Sequence, residues 1–379
     1  MGNFSFIDLC LFLGISQGVF LAITLQFAHQ KNQAANKILS IILLMAALMI
    51  SGRLFYFRYQ GNELFFRLAI LGEVMILLFG PLAYTYTRRL AFRELPNFRL
   101  SFFHFLPALL HLSFAIWVFT LTQDRFHELL YAGTLNIPYL LIEGGGLISC
   151  LFYIFISFRL VKLYQKAEVN NLSYTQQIPT FLYSFLSAIL IFLSLWLVSF
   201  VRIYLLQDYI SSSYNFVWTS IPIFIYVIGF YSLKQPDIFR IPLPIRKEKS
   251  SPIQKMEKDR LGQEEVNKLK TQIERLMVEE KIYLNNKLTL SALAEQLNTS
   301  TNNISWLLNN IYESSFYDYI NQYRVKEFIQ RIQQGEHQHH TLLAISMDVG
   351  FNSKSTFNKA FKNIMHDTPS NYIRKMATS

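Results

Sequence analysis

Two groups of polar side chains near the carboxyl end of the chain have residue types and spacing suited to contacts with nucleic acid. The first group is Asn302, Asn303, Trp306 and Asn309, and the second is Ser353, Lys354, Asn358, Lys359 and Lys362. Asparagine amides pair with the edge of adenine, whereas lysines bind phosphate or guanine. The same residue types also occur on solvated helix faces that bind nothing, so the elements that carry them must decide between these interpretations.

Each group falls on the second helix of a predicted helix-turn-helix unit. In the first unit, Thr289 is a good N-cap, and the short helix after it buries a stripe of Leu290, Leu293, Ala294 and Leu297. Residues 298–300 form a three-residue turn, and a helix over residues 301–311 then buries Ile304, Leu307 and Leu308. Two short helices joined by such a turn are a helix-turn-helix.

The pattern repeats 53 residues later, counted from Ile304 to Phe357. Gly350 is expected to end the first helix of the second unit in a left-handed conformation, and Asn352 is expected to cap the helix that follows. A long helix over residues 316–333 joins the two units. Because units placed one helical turn apart read successive major grooves, the repeat favours DNA contact over a solvated surface.

These residues resemble the AraC-type transcription regulators. The resemblance covers residues 289–375 and is carried by LTLSALAEQLNTSTNNIS in the first unit and by DVGFNSKSTFNKAFK and DTPSNYIRK in the second. The chain departs from the family's usual residues by having Glu313 and His366 in place of Gly, Ser346 in place of Ala, and Trp306 in place of Arg or Lys. The resemblance implies a tandem helix-turn-helix domain that binds double-stranded DNA. The whole chain is similar to membrane-embedded bacterial regulators with seven spans before an AraC-type output domain.

The composition of the rest of the chain indicates a membrane domain. Only 16% of all residues are charged, against about 25% in soluble domains, and residues 1–245 hold only 16 Lys and Arg and 10 Asp and Glu. Crossing a bilayer takes roughly 20 apolar residues, and seven runs qualify: 4–27, 38–56, 68–87, 101–121, 137–160, 180–201 and 214–233. The predicted fold is therefore all-α, with a polytopic membrane domain of about seven spans followed by a cytoplasmic tandem helix-turn-helix domain.

The loop charges predict the orientation of this domain. The loops after the first, third and fifth runs carry nine Lys and Arg, and the alternate loops carry five. Basic loops stay in the cytoplasm, which places the amino terminus outside and the carboxyl-terminal domain inside. No basic residue precedes Lys31, so the first run is interpreted as a retained span and not as a signal peptide. The predicted location is the bacterial inner membrane.

Two carboxylates within the apolar runs are candidates for sensing a signal in the membrane. Charge inside a bilayer is costly and often functional, and Glu73 and Glu143 both lie in such runs, as do His104 and His111. Glu143 precedes three glycines, where helices can approach closely. The alternative is that these groups only make hydrogen bonds between helices or lie near a span end.

The predicted domain boundaries are a membrane domain at 1–235, a basic proline-rich linker at 236–255, and a DNA-binding domain at 256–379. Prolines bracket the linker and prevent a continuous helix. The domain after it opens with an apolar stripe at helical spacing, formed by Val266, Leu269, Ile273, Leu276 and Met277. That stripe could pack on the first unit or pair with a second copy of itself.

Enzyme chemistry finds no support, because the chain has no phosphate-binding glycine loop, no His and Glu pair at metal spacing and no nucleophile motif. The histidines of residues 335–340 read as a polar loop, Cys10 and Cys150 as small apolar residues, and neither a metal nor a cofactor is expected. The expected partners are double-stranded DNA, the lipid bilayer, and an unknown signal ligand or membrane protein, with homodimer formation left open.

The sequence thus predicts a membrane-tethered, sequence-specific DNA-binding regulator of transcription that senses a signal at or across the membrane. The alternative is a membrane receptor or transporter whose cytoplasmic helical tail binds a protein partner.

Overall fold

A computed structural model of the protein describes residues 5–27, 33–59, 61–92, 100–207, 213–234 and 262–377. Within these ranges the chain is all-helical, with one isolated antiparallel bridge between Leu172 and Thr289. It divides into two compact units. One contains the residues up to Leu163 and those from Gln177 to 234, and the other contains Tyr164–Gln176 and 262–377. The predicted linker, residues 236–255, and Lys31 lie outside the described residues.

The first unit is built from long apolar helices. These are α1 (Phe6–Phe27), α2 (Gln33–Arg58), α3 (Glu63–Val74), α4 (Ile76–Ala91), α5 (Leu106–Val118), α6 (Gln123–Tyr131), α7 (Asn136–Asn171), α8 (Ile178–Phe200) and α9 (Ser213–Lys234). Five of them, α1, α2, α7, α8 with its continuation to Leu205, and α9, are long and apolar enough to cross a membrane. The number rises to seven if each of two bent helix pairs counts as one span.

The bent pairs refine two of the seven predicted runs. The third run bends by 44° between α3 and α4, where Met75 interrupts the helix; Pro81 lies inside α4. In the fourth run, residues Phe102–Val118 are followed by a 112° bend into α6. Seventeen residues reach only the lower end of the length that a span needs.

The first unit exposes many large apolar side chains, which suggests association with a membrane. Large apolar side chains such as Phe20, Ile191 and Ile223 are each at least 64% exposed, and contiguous apolar surface of this kind is rare on soluble proteins. Inside the unit, small residues let helices approach closely. A Cβ atom at Gly14 on α1 would lie only 2.7 Å from the side chain of Pro222 on α9.

The second unit holds seven helices within the described residues: α10 (Gln263–Val278), α11 (Leu290–Gln296), α12 (Thr301–Asn310), α13 (Phe316–Gln333), α14 (Leu342–Asp348), α15 (Lys354–Met365) and α16 (Pro369–Ala377). Helices α11 and α12 form one helix-turn-helix, and α14 and α15 form the other. The long helix α13 contributes to the hydrophobic cores of both. The stripe of α10 packs into the first core, which decides between the two packings that the sequence left open.

Hydroxyl caps set the helix starts in this unit. The side chains of Thr289, Ser300 and Thr341 each accept a backbone N–H of the helix that follows. The expected cap at Asn352 is wrong: α15 begins one residue later, and Ser353 Oγ accepts the N–H of Thr356 at 3.2 Å. Each cap satisfies one of the N–H groups that a helix start leaves unpaired.

Four residues other than glycine adopt left-handed backbone conformations in the described part of the second unit: Lys281, Asn298, Glu313 and His366. Glu313, after α12, has φ +47°, and His366, after α15, has φ +54°. These are the two positions at which the AraC-type family usually has Gly. Both turns thus accept the steric cost of a side chain on a left-handed backbone.

Candidate functional site

Helix α12 presents the first group of predicted contact residues on its solvent face. Asn302 and Asn309 are exposed, and Asn303 is half-buried. The Asn303 amide donates to Thr299 Oγ1 at 3.0 Å, and that of Asn309 donates to Ser305 Oγ at 3.3 Å. Trp306 is half-buried and packs against the first hydrophobic core. Within this group, Asn302 is therefore the residue whose side chain is exposed and makes no described hydrogen bond.

Helix α15 presents the second group and carries all its lysines. Lys354, Asn358, Lys359 and Lys362 are exposed, whereas Ser353 is half-buried because its hydroxyl caps the helix. Opposite this face, Phe357 and Phe361 lie in the second core. Lys354 lies in the first turn of α15, and in helix-turn-helix proteins the N-terminal residues of the second helix contact base edges.

One buried arginine links α13 to the turn that precedes the first helix-turn-helix unit, and the sequence analysis did not single it out. Arg324 lies on α13, fully buried. Its Nε donates to the carbonyl oxygen of Tyr283 at 2.7 Å, and Nη2 donates to that of Asn285 at 2.8 Å. Burial lowers the pKa of the guanidinium to about 10, so the group stays charged at neutral pH.

A signal for Arg324 was present in the sequence. It stands four residues from both Ile320 and Phe328, which are fully buried on the same helix. A basic residue inside a buried helical stripe must find acceptors there, since an unpaired buried charge is very costly. Sequence pattern shows that such a residue needs partners, but it does not say which ones.

A partly exposed network anchors the turn before the first unit to α13. Lys281 Nζ and Tyr283 Oη donate to the Glu327 carboxylate at 3.0 and 2.9 Å, and Arg331 Nε donates at 3.4 Å. Partial burial alone would raise the pKa of Glu327, but the hydrogen bonds from Lys281 and Tyr283 outweigh it, and the pKa is lower than its ordinary value. The carboxylate therefore stays ionised and holds the turn at neutral pH.

The two candidate carboxylates of the membrane unit both bond to neighbouring helices. Glu143 on α7 accepts from Trp196 Nε1 at 3.3 Å, from Tyr204 Oη at 3.1 Å, and from Tyr214 Oη. Tyr204 lies in a π-helical turn at the end of α8, a feature that is frequent at functional sites. Glu73 accepts from the hydroxyl of Tyr139 at 3.4 Å.

The Glu73 carboxylate interacts electrostatically with Arg53 and with Glu143. The Arg53 guanidinium lies 4.7 Å from the ring centroid of Trp218 and donates to Asn215 Oδ1 at 3.3 Å. An apolar cavity of about 120 Å³ within the same unit is lined in part by Trp196, Tyr214 and Trp218.

The histidine-containing loop at residues 335–340 forms a single 3₁₀ turn, Glu336–Gln338, after a left-handed Gly335. Across the residues for which the structure gives positions, no group of three or more His, Cys, Asp or Glu side chains is arranged to hold a metal ion.

Two helix-turn-helix units on one α-helical scaffold, each with an exposed polar second helix, define a DNA-binding regulator of transcription. A protein-family model described as a helix-turn-helix domain matches residues 293–375. This domain is of the AraC type and supports an AraC-type regulator. No curated protein matches the chain, and no solved structure does.

Proposed function

We propose that the protein is a membrane-tethered, sequence-specific transcription regulator that senses a signal at or across the bilayer. The observation that carries this proposal is the presence, in one chain, of five to seven span-like apolar helices and a domain with two exposed recognition helices. The predicted contact residues are Asn302, Asn303, Trp306, Asn309, Ser353, Lys354, Asn358, Lys359 and Lys362.

The proposed location is the bacterial inner membrane, with several spans, the amino terminus outside and the helix-turn-helix domain in the cytoplasm. The support is the charge of the loops, nine basic residues against five, together with the positive-inside rule. This orientation also places the helix-turn-helix domain in the cytoplasm, the compartment that contains its proposed DNA partner. The linker at 236–255 would tether the domain to the last span.

For the signal, we propose the carboxylates of Glu73 and Glu143 as the responsive groups. Their support is the cluster that they form with Arg53 beside the aromatic residues of α8 and α9. No observation favours the alternative class, a receptor or transporter whose tail binds a protein. The tail instead matches a helix-turn-helix family model over residues 293–375.

The experiment that tests the function is genome-wide enrichment of DNA with the tagged full chain. The wild-type protein should enrich discrete sites that share a sequence, and a Lys354→Ala, Lys362→Ala variant expressed at the same level should lose most of that enrichment. Equal recovery of DNA by both proteins would refute specific binding through α15.

A further inference from the structure

A short connection between two candidate spans folds as part of the DNA-binding unit. Residues 164–176, here named the docking segment, comprise the last turns of α7 and the loop that leads to α8, and they cluster with residues 262–377. The segment has hydrogen bonds of its own: the Glu168 carboxylate accepts the N–H of Gln176, and Tyr164 Oη donates to Gln176 Oε1 at 2.9 Å. It is therefore a folded element and not merely a connection between two helices.

The docking segment binds the region where the two helix-turn-helix units meet. Ser173 is fully buried, and its hydroxyl donates to the carbonyl oxygen of Leu288, just before α11, at 2.8 Å. Arg324 donates through Nη1 to the Ser173 carbonyl oxygen at 2.7 Å and through Nη2 to its hydroxyl at 3.1 Å. Asn321 Nδ2 donates to the same carbonyl at 3.3 Å. The buried arginine thus receives part of its acceptor set from the membrane half of the sequence.

The same segment contacts the recognition helix of the second unit. Thr175 Oγ1 lies 2.8 Å from Thr356 Oγ1, and Thr356 in turn contacts the capping hydroxyl of Ser353 at 2.9 Å. The charge of Glu168 interacts with that of Lys359. Thr356 and Lys359 are three residues apart and share one flank of α15, so the segment lies along that flank, beside the turn that would enter a groove.

Two of these contacts would compete with DNA. Burial raises the pKa of Glu168 to about 7, so part of the population is ionised at neutral pH and its charge interacts with Lys359, whereas a phosphate would need the same lysine. A duplex approaching the N-terminal turn of α15 also meets Thr175 beside Thr356.

We propose that the docking segment is an autoinhibitory contact: bound to α13 and α15, it keeps the second recognition helix from DNA until a signal releases it. The inference rests on the proposed function. The docking segment would carry the signal to the recognition helix, because it directly connects α7, which carries Glu143, to α8, which carries Trp196.

A disulfide that locks the segment in place tests the proposal. The hydroxyl oxygens of Thr175 and Thr356 are 2.8 Å apart, close enough for two cysteines to form a disulfide after a small shift. The protein is the full chain with Thr175→Cys and Thr356→Cys in a Cys10→Ala, Cys150→Ala background, held in lipid nanodiscs. The probe is a mixed-sequence duplex long enough to cover two successive major grooves.

The oxidised form should bind this duplex at least about tenfold more weakly than the same protein after reduction, since phosphate contacts of α15 are lost. The reduced form is its own control for the two substitutions. Failure of the disulfide to form, or equal binding by the two forms, would overturn the autoinhibitory contact. Absence of DNA binding by wild type, oxidised and reduced protein alike would instead overturn the proposed function and the inference with it.

A second variant tests the charge competition directly. At pH 8, where a carboxyl group with a pKa of about 7 is mostly ionised, Glu168→Gln should tighten binding by roughly two- to fivefold, the order of one weak charge pair, and raise the salt slope by at most about one. Glu265→Gln, which removes the same charge from an exposed site on α10, should change neither quantity. In a Lys359→Ala background the effect of Glu168→Gln should vanish, whereas an undiminished effect there would show that the carboxylate does not act through Lys359.

Discussion

At the scale of single residues, α12 and α15 carry different polar side chains, and the proposed DNA contacts of the two helices differ accordingly. Helix α12 carries amides and no lysine, while α15 carries three lysines. Amides discriminate among base edges, and lysines chiefly neutralise phosphate. The charge of Lys359 interacts with that of Glu168, and its Nζ lies 6.0 Å from the ring centroid of Tyr317, so Lys354 is the clearer probe of electrostatic binding.

Lys354→Ala should therefore weaken DNA binding to a similar degree on every sequence and reduce the salt slope by about one. Asn302→Ala should instead lower affinity for the preferred site by roughly 1–3 kcal/mol and narrow the gap to other sequences. Binding isotherms over a range of salt concentrations, on the enriched site and on a scrambled duplex, measure both effects. Equal loss on both duplexes for Asn302→Ala would remove this residue from base recognition.

The carboxylate of Glu143 is the residue-scale probe of sensing. Its three partners, Trp196, Tyr204 and Tyr214, all donate hydrogen bonds to it. Glu143→Gln keeps the side-chain size but replaces one acceptor oxygen by a donor NH₂ that faces other donors. We expect promoter output to lose its response to the inducing condition, while DNA binding by the solubilised protein stays within about twofold of wild type.

Glu128→Gln is the matched control for this prediction, since Glu128 lies in the same unit but is exposed and paired with Arg125. It should leave the response intact. A Glu143→Gln protein that still responds fully would mean that the carboxylate only joins helices, as the alternative interpretation of the sequence holds.

At the scale of elements, the turn between α14 and α15 depends on a position that only glycine fills without strain. Gly350 has φ +100°, and a Cβ atom there would lie 2.4 Å from the carbonyl oxygen of Tyr283 and 2.9 Å from that of Leu284. Phe351, the next residue, is fully buried against Phe357. The turn of the second unit is thus pressed against the backbone that precedes the first unit.

Gly350→Ala should destabilise the second unit by about 3 kcal/mol or more, because it adds a clash to a left-handed backbone. Gly335→Ala is the matched control: its φ is +82°, but the nearest atom to an added Cβ is 3.7 Å away, so it should cost only about 1 kcal/mol. Hydrogen exchange of the full chain measures both through the opening free energies of residues 262–377. Similar losses from the two substitutions would show that the contact with Tyr283 adds nothing.

At the scale of the whole molecule, the orientation in the membrane decides whether the recognition helices share a compartment with DNA. Reporter fusions after Asp124 and at Ser379 should report opposite sides, with Ser379 in the cytoplasm, because the basic loops stay inside. Since α5 and α6 form a sharply bent pair, the fusion after Asp124 also tests whether that pair crosses the bilayer. If both fusions report the same side, the count of seven spans is wrong.

The fragment spanning residues 253–379 should fold alone, since both helix-turn-helix units and α13 lie within it. It should be soluble, helical, able to bind the same DNA site, and insensitive to the signal. Without the docking segment, Arg324 exchanges the acceptors of Ser173 for water, and we expect the fragment to bind DNA more tightly than the full chain does. Circular dichroism and isotherms on the enriched site measure this. A fragment that responds to the inducing condition like the whole protein would reduce the spans to an anchor.

The sequence by itself determined the elements that depend on near neighbours. Apolar residues at helical spacing, with the cap at Thr289, predicted the ends of α11, α12 and α13 to within about one residue. This was possible because helix stripes and caps are encoded within a few residues. The tandem arrangement also followed, since both units share one local pattern. Apolar runs located the spans, but not the break at Met75 or the 112° bend after α5.

Only the tertiary structure decided which distant groups meet. Arg324 and its acceptor Ser173 are 151 residues apart, and Glu143 and Tyr214 are 71 apart. Periodicity shows that a side chain is buried, but a buried polar group is satisfied by whichever acceptor the packing of the whole unit brings to it.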